Sequence, residues 1–200
     1  MARLEETLGE IRKILREGDM AFWNLPHAET VHRTLLELNP DAPEELQIAA
    51  LGHDIERSVS EETDSKLKKL TDYDKYKGKH ALRSAEFMKA LLINQGYLKD
   101  YIDGVWELVA SHEIGGSKEA DKLREADGRA FFSFDIKLYF DRNGKEKTLG
   151  KIAYMLMKLS EEGVEKARNN NYSSSEIREL VLDVLDGRAL FDGWEFTGYS

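Results

Sequence analysis

An all-helical fold is predicted for this chain of 200 residues, on three observations. Apolar residues recur every three to four positions along most of the sequence. Gly18, Pro43, Gly96 and Gly115-Gly116 fall at the ends of those periodic stretches. Four of the five histidines also land on apolar helical stripes, each on a different stripe.

Leu4, Leu8, Ile11 and Leu15 form the stripe of a first helix that ends near Gly18. Pro26 suits the first turn of a second helix carrying Val31, Leu35 and Leu38, because that turn has no use for its missing N–H. The run from Asn39 to Pro43 is a turn, and a third helix is predicted from Pro43 to about Arg57. Ser58 to about Lys75 is polar and reads as a long loop or a partly helical excursion, a length common in binding segments. A fourth helix is predicted from Lys77 to Asn94, closed by Gly96, and a fifth from Leu98 to Ser111, closed by Gly115 and Gly116. A sixth starts near Ser117, with Glu119 and Glu125 on its outer side. Further helices are expected at about 145–168 and 174–186, separated by asparagine and serine runs that supply turns and N-caps. The C-terminal Phe191, Trp194, Phe196 and Tyr199 are expected to pack back on the body.

One stretch supports two readings. Phe132, Phe134, Ile136, Leu138 and Phe140 alternate, and Asn143-Gly144 is a hairpin dipeptide, so a short β-hairpin over 132–149 is one. Extension of the sixth helix into an irregular apolar connection is the other.

Composition narrows the function. Net charge is −9, from 29 basic and 38 acidic residues, with no basic block to track a long nucleic acid. Cysteine is absent, which excludes disulfides, thiolate ligands and cysteine nucleophiles. The charged N-terminus lacks the apolar core of a signal peptide, and no run approaches the ~20 apolar residues of a membrane span. A cytoplasmic protein without membrane partners is the expectation.

Polar side chains on inward faces cost free energy unless something compensates all of them. His27, the pair His53–Asp54, His80, His112 and Asp127 lie on five such faces. One or two divalent ions would compensate, and imidazole with carboxylate suits Mn, Fe, Co, Ni or Zn, or Mg where oxygen ligands dominate. A single inward histidine is more commonly a hydrogen-bonded core residue; six donors in series argue for a shared ion. His32 is the histidine left over, expected at the surface or behind a ligand.

The segments LPHAETV, IAALGHDIERS, YKGKHALRSAEF, LVASHEIGG and LREADGRAFFSF, in that order over roughly residues 20–135, resemble the HD superfamily of metal-dependent phosphohydrolases. One departure is Glu56, where the superfamily often has glycine. The resemblance implies an HD-type helical bundle, a single domain over 1–200 with its metal core at about 20–135 and C-terminal helices and tail at 145–200. By the same resemblance His27, His53, Asp54 and Asp127 match the ligands of a first metal. His80 and His112 match those of a second, with Asp54 bridging and the chemistry centred on His53 and Asp54.

The activity implied is hydrolysis of a small phosphoester or nucleotide, as a phosphomonoesterase or phosphodiesterase, through a metal-bound hydroxide. Arg57, Lys79 and Arg83 are the candidate phosphate-binding residues, with Lys77 beside them at a helix start whose dipole favours an anion. Exposed cations at helix ends are commonly plain surface, which is the competing account of all four. Glu113, beside His112, either orients a ligand or is exposed. Two alternatives stay open: a mixed-valent diiron oxygenase acting on a small polyol or phosphonate, and a non-catalytic metal-binding regulatory module.

Overall fold

The computed structural model describes residues 2–59 and 73–188, and no strand occurs among them. The all-α prediction therefore holds. Two compact units divide the chain, Met1–Ala130 and Phe131–Ser200.

In the first unit α1 (Ala2–Glu17), α2 (Ala21–Leu38), α3 (Glu44–Gly52), the short α4 (Glu56–Val59), α5 (Tyr73–Asn94), α6 (Lys99–Ser111) and α7 (Lys118–Ala130) follow in order. At the centre lies α3, with α1, α2, α6 and α7 packed on it. Leu46 and every residue from Ile48 to Gly52 is buried, so the last turn of α3 has no polar face, as expected of a helix end enclosed by its neighbours. Around it α1 contributes the predicted stripe, Leu4, Leu8, Ile11 and Leu15, all buried.

Several predicted boundaries move. Pro26 sits inside α2 rather than at its start: the Trp23 and Asn24 amides donate to the Met20 carbonyl and begin the helix early. Asn24 also donates from Nδ2 to Ser58 Oγ at 3.0 Å, which ties that first turn to α4. The third helix stops at Gly52 instead of running to Arg57. His53, Asp54 and Ile55 form a tight turn, closed by Ile55 N–H donating to the Gly52 carbonyl. Helix α5 begins at Tyr73 rather than Lys77, so Lys79 lies inside the helix and not at its dipole end. Of the polar segment predicted at 58–75, residues 60–72 lie outside the described residues, and its two ends are helical.

In the second unit the helical reading of 132–149 holds and the hairpin does not form. A π-helix (Phe131–Asp135) leads into α8 (Ile136–Leu156), followed by α9 (Glu161–Asn169) and α10 (Ser175–Leu185). Phe131, Phe132, Asp135 and Ile136 are buried, with Tyr139 and Phe140 packed on the same core. That is a helical repeat, and the apparent alternation arises from skipping Phe131 and Tyr139. Asn143-Gly144 breaks α8 instead of turning a hairpin. Gly144 adopts φ 76° and ψ 179°, a conformation essentially reserved to glycine. Asn143 Nδ2 caps the segment before it by donating to the Tyr139 carbonyl at 2.9 Å. The helix predicted over 145–168 is interrupted between Leu156 and Glu161, where Ser160 caps α9 by accepting from the Gly163 amide. Ser174 caps α10 in the same way, through Ile177 N–H. The C-terminal aromatic residues lie outside the described residues. None of the described helices is long and apolar enough to cross a membrane.

Candidate metal centre

Five segments of the first unit deliver the six predicted donors to one buried cluster. His27 comes from α2, His53 and Asp54 from the turn after α3, His80 from α5, His112 from the end of α6 and Asp127 from α7. All six are buried, His53 and His112 completely.

Local structure explains two of the ring orientations. His53 and His112 are C-cap residues, of α3 and α6 respectively, where backbone carbonyls of the last turn lack helical partners. Each ring uses one. His53 Nδ1–H donates to the Ala50 carbonyl at 3.0 Å and His112 Nδ1–H to the Val109 carbonyl at 2.7 Å. Protonation at Nδ1 leaves the Nε2 lone pair of each ring directed at the cluster. Gly52 makes room for this: a Cβ there would lie 2.5 Å from Met88 Sδ on α5. After His112 the chain turns through Gly115 and Gly116, both at positive φ, and Asp121 holds the turn by accepting from the Gly116 amide at 2.9 Å.

The donor atoms converge on the two oxygens of Asp54. On the Oδ2 side, His27 Nε2 lies 3.8 Å and His53 Nε2 3.7 Å away. The two ring nitrogens are 3.2 Å apart, and Asp127 Oδ1 is 3.5 Å from His27 Nε2 and 3.8 Å from His53 Nε2. On the Oδ1 side, His80 Nε2 lies at 2.5 Å and His112 Nε2 at 3.6 Å. Donors ~2.1 Å from a common ion stand ~3.0–3.4 Å apart in octahedral or tetrahedral arrangement. The Oδ2 group is close to that spacing. The residues therefore fit a metal ion: His27, His53 and Asp127 form one donor group, and His53, Asp54 and His112 a second.

The electrostatics match. Burial opposes ionisation of Asp54, but Arg57, His53 and His80 outweigh it and hold the carboxyl well below the usual range. Burial lowers the pKa of His53 despite the nearby charges of Asp54 and Asp127. Burial would also lower His80; the charge and hydrogen bond of Asp54, with a further bond to Glu56, raise it instead.

The predicted phosphate ligands divide. Arg57 Nη1 lies 3.0 Å from Asp54 Oδ2, with 38% of the side chain exposed. Arg83 is committed elsewhere, its Nε donating to Glu56 Oε1 at 2.7 Å. Lys79 is exposed, and the side chain of Lys77 lies outside the described residues. Glu113 is only 9% exposed, with Oε1 3.7 Å from His112 Nε2, so it belongs beside the cluster. Half-buried His32 lies outside the donor groups, beside Gln47. Glu125, predicted outward, pairs with Arg129 at 2.6 Å in a largely buried contact.

The residue that sequence reasoning missed is Glu56. It is buried and holds both His80 and Arg83. An acidic side chain directly after the apolar run from Ile48 to Ile55, broken only by the His–Asp pair, was the available signal.

No curated protein and no solved structure matches this chain. Residues 13–181, which include the whole cluster, match the family described as "Domain of unknown function (DUF4202)", and the chain belongs to that family.

Proposed function

We propose that this chain is a metal-dependent phosphohydrolase of the HD type, acting on a small phosphoester or nucleotide at the Asp54 cluster. One observation carries the reading: the two oxygens of a single buried carboxylate each face a different pair of histidines. That arrangement suits two ions sharing Asp54, with His27, His53 and Asp127 completing one shell and His80 and His112 the other. Divalent ions held there would acidify water and polarise a phosphoryl oxygen.

The remaining work falls to the chain's own residues. Asp54 stays ionised because Arg57 and the histidines offset its burial, so it offers both oxygens. Arg57 stands at the edge of the cluster with solvent access, the place for a guanidinium that grips a phosphate oxygen bidentately. Arg83 is already bound to Glu56 and acts behind the site. Helices α2, α3, α5, α6 and α7 exclude bulk water from the donors, which strengthens every charge interaction there.

The test is a phosphomonoesterase and phosphodiesterase screen with Mg, Mn, Co, Ni and Fe, run in air and without oxygen. Phosphate release that requires an added divalent ion and is lost in Asp54→Ala supports the proposal. Turnover that needs iron and oxygen without releasing phosphate overturns it in favour of the oxygenase. Metal binding without any turnover overturns it in favour of a regulatory module.

A further inference from the structure

His53 and His112 sit at helix ends and orient their rings on carbonyls three residues back. His80 is oriented differently. It lies inside α5, and its Nδ1–H is met by a side chain of another segment: Glu56 Oε2 accepts from His80 Nδ1 at 2.7 Å. The other oxygen, Oε1, accepts from Arg83 Nε at 2.7 Å, one turn further along α5. The Glu56 amide donates to Ser84 Oγ, also on α5, at 3.3 Å. Three contacts thus fix α4 to the part of α5 that carries His80.

We propose that Glu56 is a positioning residue, which locks the His80 ring with Nε2 turned to Asp54 Oδ1 and so prepares one side of the cluster for a second ion. The inference rests on the two-ion reading given above. An anionic acceptor at Nδ1 also makes the imidazole a stronger donor at Nε2 than a carbonyl would. Glycine at this position would supply neither the bond nor the charge. Arg83 holds the carboxylate from behind and restrains its rotation.

The experiment is calorimetric titration of the metal-stripped full chain with Mn²⁺, paired with metal analysis of the loaded protein, for the parent, Glu56→Ala, Glu56→Gln and Arg83→Gln. The parent is expected to bind two ions in separable steps. Glu56→Ala should keep the tighter step and weaken the other by about 10–100-fold. Glu56→Gln, whose amide oxygen can still accept from Nδ1, should recover part of that loss. Arg83→Gln, which leaves the Glu56–His80 bond in place, should weaken the second step less than Glu56→Ala does. Equal weakening of both steps in Glu56→Ala, or none, overturns the proposal while leaving the two-ion reading intact. A parent that binds fewer than two ions overturns that reading, and the proposal with it. Should Glu56→Ala fail to fold, the isosteric Glu56→Gln decides: a second step weakened with the first retained supports the proposal, and parental affinity for both overturns it.

Discussion

On the Oδ2 side of Asp54 the donors are placed by backbone: His27 and Asp127 project from the well-packed α2 and α7, and His53 is pinned to the Ala50 carbonyl. On the Oδ1 side, His112 is pinned in the same manner to Val109, but His80 hangs on a side chain, the carboxylate of Glu56, itself held by Arg83. The carboxylates differ accordingly. Asp127 faces the imidazoles as a donor in its own right, whereas Glu56 stands behind His80 at Nδ1. One half of the centre is thus a product of helix packing, which is hard to perturb singly. In the other, His80 rests on one ion pair that a point substitution can remove.

The largest effect should come from the residue both halves share. Asp54→Ala removes the carboxylate from His80 and from Arg57 together, at a cost of about 3 kcal/mol or more for breaking a buried charge pair. Metal analysis should find both ions lost, while His32→Ala retains them; equal metal content in the Asp54 variant and the parent would refute the assignment.

Activity separates the halves more finely. His80→Ala and His112→Ala should lower phosphate release by ~100-fold or more, a barrier increase of about 2.7 kcal/mol or above, and keep one ion. Turnover near the parental rate in both variants would mean that the Oδ1 side takes no part in the chemistry.

Chelation tests the centre as a whole. Ions present at about a hundredfold excess over Kd stabilise the folded state by ~2.7 kcal/mol, so stripping them should lower Tm by about 5–10 °C for a chain of this length. A melting curve indifferent to chelator would argue against structural coupling between metal and fold.

Two further effects, on stability alone, lie outside the cluster. Gly18→Ala would set a Cβ 2.4 Å from the Ser58 carbonyl oxygen, and backbone cannot swing aside as Met88 can at Gly52, so a loss of about 2–3 kcal/mol is expected by denaturant titration. Gly144→Ala in the second unit meets no neighbouring atom but must adopt φ 76°, which should cost about 1 kcal/mol with metal content unchanged. A drop in bound metal there would show that the second unit matters to the centre.

The six donors were legible from their order and from the apolar stripes they interrupt, because burying a polar side chain on a helix face leaves a mark in the periodicity. The helix stripes were legible for the same reason: Leu4, Leu8, Ile11 and Leu15 repeat as the core requires. Of the two readings of 132–149 the helical one holds: five alternating apolar residues also fit a helix once Phe131 and Tyr139 are counted, and periodicity in a short apolar run does not separate the two. Pro26 misled because it suits a first turn, whereas the helix begins five residues earlier at Ala21, where the Trp23 and Asn24 amides donate to the Met20 carbonyl.

What the sequence determined by itself is the helical class and the six His and Asp residues that gather in one buried cluster, since both follow from spacing along one chain. Which oxygen of Asp54 faces which histidine, the diversion of Arg83 from a phosphate to Glu56, and the support of His80 by that same carboxylate were decided by tertiary structure. The contacts of His80 with Asp54 and Glu56 and of Arg83 with Glu56 join residues 24 to 27 positions apart, on segments whose relative rotation is set by core packing and leaves no periodic trace in either.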